Sequence, residues 1–520
     1  MKRSYLLFLL FTAFSLLLVA CSNKETATTK TENGNETKEE APKEQVLTIG
    51  LPTDIDTFDI HNTTSSGTEA VLTNMFSYLY KRTDQLEVQP DLAESHKIID
   101  DKTWEFKLKP GITFHNGDPL TAEDVKFTFE RVAKDTSLKR NSYFVNFEEV
   151  EVIDELTLRI HTKETEPLML NRISRNGLGI LPKKYIEENG LDTFLKNPIG
   201  SGPYQFVEWV KDSHITFKPY NDHFELKPEW DKVVFRVIPE TSTRVGELIA
   251  GGIDLTSTIP PTEWDRINDN EGTSITEGDT TRIMQLIVRH TEGSVTSDPR
   301  IREAIDLAIN DEVLVKHINK GAGIPTQTGT PPGVTGAHPT LNNSFVYDPE
   351  RAKELLAEAG YNGAEINLQS PNGRYTLDSD VAQIIQTMLE EVGFKVKLEL
   401  MENSHYLDVY DARQNKELFL IGLSNSLFDG SHALEYFHTE GAKGMTDYSN
   451  PEFDELFALS EKNMNLEERE QQLQKMQEIV AKDLPNINLY QMKTAYAIRD
   501  HITFDASLTE HFYIPNIHRK

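Results

Sequence analysis

The sequence predicts an α/β chain with more than one domain, and three observations carry that reading. The stretch Trp104–Arg131, WEFKLKPGITFHNGDPLTAEDVKFTFER, has the pattern of a strand-turn-helix unit. Two β-α-β patterns follow, at Val233–Leu255 and Ile366–Leu400. The length, 520 residues, exceeds what one hydrophobic core supports and points to roughly three domains.

In the first unit, Trp104, Phe106 and Leu108 alternate with Glu105, Lys107 and Lys109, the period of a half-buried strand. Pro110-Gly111 turns the chain, Ile112–Phe114 resumes the extended pattern, and Asn116-Gly117 turns it again. Thr121 reads as a helix N-cap, with Asp124 three residues on completing a capping box. Val125, Phe129 and Val132 then share one helix face. The unit contains no catalytic group.

From the N-terminus, Lys2-Arg3 precede an apolar run, Tyr5–Val19, and Leu18-Val19-Ala20-Cys21 closes it. This resembles a bacterial lipoprotein signal, residues 1–21, whose cysteine takes a diacylglyceryl group and becomes the mature N-terminus. The alternative is a short membrane anchor, but the run falls below the ~20 residues that span a bilayer. Cys21 is the sole cysteine, so an intrachain disulfide or a cysteine-based metal site is excluded. Residues 22–45 are rich in Thr, Asn, Lys and Glu and lack the apolar surface to offset ordering entropy. They read as a disordered tether reaching roughly 25–30 Å.

Val46–Gly50 starts the folded part as a strand, and Asp54–Gly67 reads as a polar loop. Val150–Ile160 is a hairpin around Asp154-Glu155, and Asn197–Val210 is a Gly/Pro-rich turn leading into a strand. Strand Val233–Ile238, a helix through Arg244–Ala250 and Ile253–Leu255 form one β-α-β unit. Arg282–Arg289 is extended, Asp298-Pro299 opens a helix, and Asp348 caps another that Gly360 stops. Val381, Ile385, Leu389 and Val392 hold helical spacing between the strands Ile366–Leu368 and Phe394–Leu400. Asn450-Pro451 starts a helix with Phe453, Leu456 and Phe457 inward.

Lys and Arg number 53 against 83 Asp and Glu, a formal net charge of −30. That balance argues against nucleic acid or an anionic membrane surface as partner. HExxH, GxSxG, Walker A and CxxC patterns are lacking, and Gly177-Leu178-Gly179 runs into Pro182 and fails as a dinucleotide loop. Trp104, Trp209, Trp230 and Trp264 read as packing residues.

The string LKPGITFHNGDPLTAEDVKFTFER closely resembles the segment that marks the family 5 extracellular solute-binding proteins, the peptide, nickel and opine receptors of ABC importers. NPIGSGPY, with Ser201 for a threonine, and Asn450-Pro451-Glu452 are similar to two further motifs of the family. The resemblance implies a two-lobed α/β fold of the periplasmic-binding-protein type II, in its large peptide-receptor variant with an inserted domain. One lobe would comprise 46–62, the insertion 63–196, 197–282 and 493–520, and the other 283–492. Crossings near Met284–Arg289 and Met492–Ala497 would form the hinge.

It further implies a ligand held between two main-chain segments, one at Ser65, Ser66 and Gly67 and one at Gly422, Leu423 and Ser424. The family's first acidic position holds Ser426 here, and Asp429 matches a later one. Asp429 is read either as the partner of a peptide ammonium group or as a turn residue before Gly430. Arg289-His290 follows the expected hinge strand, where the guanidinium meets a ligand carboxylate or forms an ordinary salt bridge. His432, His438 and Asp429 invite a metal reading, but their spacing matches no known ligand pair, and no metal or cofactor is assigned.

The function expected is therefore a non-enzymatic, monomeric receptor at the outer face of a bacterial membrane. It would be anchored through the Cys21 lipid, capture oligopeptides and deliver them to a permease and its ATPase. A receptor for a nickel chelate or another small solute is the alternative on the same fold, and a secreted hydrolase the alternative from another class.

Overall fold

The computed structural model describes residues 44–520 except Asn176 and Asn319. The signal peptide, Cys21 and all but the last two residues of the tether lie outside the described residues.

One eleven-stranded sheet runs through the chain. Its order is Lys395–Glu402, Glu365–Asn372, Leu418–Ser424, Thr273–Val288, Asn486–Arg499, Leu255–Thr256, Val46–Leu51, Lys232–Val237, His214–Pro219 and Tyr204–Val210. Gly323–Pro325 pairs with Asn486–Arg499 beside this path. Both expected β-α-β crossovers are present. Lys232–Val237 and Leu255–Thr256 flank Val46–Leu51 in parallel, joined by helix Thr241–Ala250. Glu365–Asn372 and Lys395–Glu402 pair in parallel through helix Asp378–Val392, which Gly393 ends at φ 111°.

Two long antiparallel strands, Thr273–Val288 and Asn486–Arg499, link the halves of the sheet. Their ladder is interrupted between Asp279, opposite Lys493, and Ile283, opposite Gln491. The core changes at the same place. Met284, Leu286 and Val288 join a cluster with Ile305, Leu368 and Leu420, whereas Ala495 and Ala497 pack with Val245 and Ile253. A ladder break bends a strand locally. Met284–Arg289, the crossing expected from the sequence, lies beyond the break. Most of it is paired with both neighbouring strands.

Residues 93–162 add a four-stranded antiparallel sheet, in the order Ala93–Asp100, Thr103–Leu108, Thr157–Thr162, Phe147–Asp154. Trp104 and Phe106 are buried and Lys107 is exposed, as the alternation predicts. The capping box is built as expected: the Asp124 carboxylate accepts the Thr121 amide N–H at 2.9 Å. Val125, Phe129 and Val132 of helix Ala122–Lys134 are fully buried, each contributing about 1.5–3 kcal/mol. Ile112–Phe114 makes only an isolated bridge from Thr113 to Pro119, not a strand.

The polar loop ends sooner than expected, because helix Ser66–Leu72 begins inside it. Ser65 caps that helix by accepting the Thr68 N–H at 3.3 Å, and Ala70, Val71 and Leu72 are buried. Asp56 fixes its start, accepting hydrogen bonds from the hydroxyls of Thr63 and Thr68.

Candidate functional site

The start of helix Ser66–Leu72 and the end of strand Leu418–Ser424 meet across a cavity of about 320 Å³. Thr64, Ser66, Glu69, Arg140, Tyr143 and Arg175 line it from one part of the chain. Arg282, Arg374 and Ser424–Ser426 line it from another, and Leu508–His511 completes it. A second cavity of about 370 Å³ adjoins it, sharing Phe428, Thr509 and His511 and extending to Arg82, Asp84, Asp91 and His223. Both fall in the size range of small-ligand sites.

Hydrogen bonds join the two walls. The Arg175 Nη2 donates to Ser426 Oγ at 2.9 Å, and Asn171 Nδ2 donates to the Leu427 carbonyl at 3.0 Å. The Arg82 guanidinium lies 4.4 Å from the centre of the Phe428 ring. Ser426–Phe428 is thus a short loop gripped from the opposite side.

The sequence-derived candidates divide. Ser66, Ser424 and Ser426 line the cavity, with Ser65 and Gly67 beside Ser66 and with Leu423 and Gly422 beside Ser424. The first segment, however, is not a strand. Ser65 is a helix cap whose own N–H donates to Thr63 Oγ1 at 3.1 Å, and Ser66 and Gly67 form the first turn, presenting amide N–H groups at a helix start rather than a sheet edge. In the second segment the Gly422 carbonyl already accepts from Arg282 Nη1 at 3.2 Å and from the Tyr375 hydroxyl at 3.1 Å.

Asp429 is not open to an ammonium group. Its side chain is fully buried, its carboxylate clamps the Arg469 guanidinium, and its Oδ1 accepts the Ser431 N–H at 3.0 Å as a helix cap. The turn-residue reading is nearer to what the fold contains.

Arg289 and His290 do not line the cavity either. Arg289 is seven positions along the strand from Arg282, about 23 Å at an extended rise. It donates to Asp447 at 2.6 Å, the salt bridge that was the ordinary alternative. His290 packs edge-on against Tyr448, with Nε2 3.3 Å from the Leu484 carbonyl. Burial pushes it down to about 4, so it is neutral at physiological pH.

His432, His438 and Asp429 do not converge on a metal. His432 faces Glu435 at 3.8 Å, while His438 caps a helix and stacks on Phe457. Among the described residues no group of three or more His, Cys, Asp or Glu side chains is placed to hold an ion.

What sequence reasoning missed is the arginines. Arg140, Arg175, Arg282 and Arg374 all line the cavity. Arg140 is ion-paired with Glu69 and donates through Nε to the Thr63 carbonyl at 2.7 Å. Burial and then the like charge of Arg175 push Arg140 down to about 10, still fully charged at neutral pH. Arg175 sits over Tyr143, its guanidinium carbon 3.5 Å from the ring centre. Burial, followed by Arg140, pushes His511 down to about 4 and leaves it neutral. No local pattern in the sequence marks these arginines, since each comes from a separate segment.

Comparison with known proteins fits this architecture. The sequence profile of the bacterial extracellular solute-binding proteins, family 5 (middle), matches residues 87–445. The chain belongs to that family. Family 5 members are solute receptors of ABC importers, and the chain is accordingly a binding protein, not an enzyme. The glutathione-binding protein GsiB of Salmonella paratyphi A is 27% identical over 481 residues, covering 89% of this chain and 92% of that protein. The oligopeptide-binding protein AppA of Bacillus subtilis is 26% identical over 521 residues, covering 94% and 93%. In structure, HbpA2 from Haemophilus parasuis matches with a TM-score of 0.82 at 20% identity, covering 91% of this chain and 100% of that one. AppA in complex with a nonapeptide matches with a TM-score of 0.73 at 23% identity, over 92% and 99%. These likenesses establish the family 5, type II binding-protein fold. Among the described residues no helix is long and apolar enough to cross a membrane.

Proposed function

We propose that this family 5 protein is a peptide receptor that captures short peptides between two lobes and presents them to a permease. The observation that carries the reading is the cavity pair that Phe428, Thr509 and His511 join, enclosed by segments from distant parts of the chain. Its walls offer the N–H groups at the helix start, Ser66 and Gly67, and the hydroxyls of Ser424 and Ser426, groups suited to a peptide backbone.

The lobes proposed are 46–282 with 493–520, and 283–492, moving about the ladder break between Asp279 and Ile283. Names of relatives support peptide as the ligand class, AppA being an oligopeptide-binding protein and GsiB a glutathione-binding one. The lipid anchor at Cys21 and monomeric action belong to the same proposal.

Thermal denaturation with a peptide library tests it, because a ligand that binds only the folded state raises stability by RT ln(1 + [L]/Kd). A melting point that rises with peptide supports the reading. One that rises only with a nickel chelate favours the other solute class, and turnover of peptide favours the hydrolase.

A further inference from the structure

We infer that the cleft is built for a ligand bearing at least two carboxylates, which Arg175 and Arg374 receive. The inference rests on the receptor reading above and narrows it from peptides in general to acidic ones.

The charge in the cavity opposes that of the whole chain. Against a formal net charge of −30, four guanidinium groups line the cavity with two carboxylates, Glu69 and Glu510. Each carboxylate is already engaged, Glu69 by Arg140 and Glu510 by Arg282 at 3.7 Å. Arg175 and Arg374 have no carboxylate within ion-pair distance among the described residues.

Arg175 is the sharper case. It is only 3% exposed, and its Nη1 is buried without a hydrogen-bond acceptor. A buried guanidinium is tolerated when paired and hydrogen-bonded, so an unmet donor in a cavity wall marks a place where a ligand acceptor belongs. Tyr143 stacks against one face and Ser426 takes Nη2, which fixes the plane of the fork. A held fork is preorganised for a carboxylate. Arg374 is exposed, oriented by a 2.7 Å hydrogen bond from its Nε to the Tyr375 hydroxyl. The adjoining cavity does not cancel this charge, because its two carboxylates, Asp84 and Asp91, are matched by two cations, Arg82 and Lys81, the latter 3.3 Å from Asp91.

Calorimetry on the mature chain tests this with three tripeptides of similar size, Glu-Ala-Glu, Gln-Ala-Gln and Lys-Ala-Lys. The acidic peptide is expected to bind at least about 10-fold tighter than its amide isostere, the range of one charge-assisted hydrogen bond. Arg374→Gln, at an exposed position where folding is not at stake, should remove most of that preference. Arg175→Gln, read beside its melting curve, should remove the rest. Equal binding of the acidic and amide peptides overturns the anion inference and leaves the peptide receptor standing. So does a preference for the lysine peptide. If no peptide binds but the polyacid tricarballylate does, and Arg374→Gln weakens it, the inference stands and the peptide reading falls. If nothing binds, both fall.

Discussion

Asp429 and Arg469 form a bidentate ion pair, with oxygen-nitrogen distances of 2.6 and 2.8 Å, closed off from solvent on both sides. Arg469 stands in the first turn of helix Leu466–Asp483 and also donates to the Ser460 carbonyl. Asp429 follows the loop held by the opposite wall, and Asn425 bonds both its amide and its carbonyl. The pair therefore fastens the cleft loop to a long helix behind it.

Removing one partner of a buried pair strands the other charge, at a cost of about 3–5 kcal/mol. Asp429→Asn is expected to lower the melting temperature markedly, while Asp429→Leu combined with Arg469→Met recovers much of the loss. An unshifted melting curve for Asp429→Asn would contradict the structural role.

Gly422 is a second test of how the cleft wall is packed. A Cβ added there would lie 2.9 Å from Tyr375 Cε1, too close without displacement of the ring. Gly422→Ala should destabilise the protein and weaken ligand binding, since the ring also orients Arg374. Adding Tyr375→Ala should rescue stability but not binding. The comparison is a double-mutant cycle read by denaturation and calorimetry.

The capping box gives a smaller, local prediction. Asp124 accepts from the Thr121 amide and, through its other oxygen, from the Lys183 N–H at 3.0 Å. Asp124→Ala should cost about 1–2 kcal/mol in chemical denaturation, the upper half of the range for a lost cap. Asp124→Asn should cost less.

Acid should destabilise the protein before most carboxylates titrate. Burial, assisted by Arg131, pushes His61 down to about 3, and burial, assisted by Arg175, pushes His432 down to about 4. In the unfolded chain each returns to about 6.5. Their contribution is thus whole above about 6.5 and is lost as pH falls toward 4, by up to about 1.4 kcal/mol per pH unit for each. Glu435, lifted by burial to about 7, acts with the opposite sign, contributing below about 4.5 and losing that as pH rises to 7. Melting temperature against pH should therefore decline less steeply below 6.5 in His432→Gln than in the parent.

Anchoring is tested at the N-terminus. Cys21→Ser should accumulate as unprocessed precursor and take up no labelled fatty acid when expressed in a bacterium. Labelling that persisted would refute the lipobox.

Much of the fold was legible because its signals are local. Asn450 caps its helix by accepting from Glu452 and Phe453, as Asp348 does from Arg351, each within three residues. The helix at Ser66 was hidden by Gly67 and by the polar run before it, although Ser65 and the Ala70–Leu72 stretch were its signal. The site was legible only in part. Ser66, Ser424 and Ser426 came from resemblance to a family, and that resemblance does not say which carboxylates remain unpaired.

By itself the sequence determined the α/β class, both β-α-β crossovers and the receptor family, since alternation, caps and short motifs act over a few residues. Only the tertiary structure decided the sign of the cleft. It spent Asp429 on Arg469, forty residues away, and brought four arginines from separate segments around one cavity. Charges interact through space, so whether one is free for a ligand depends on what folding sets within a few ångströms of it.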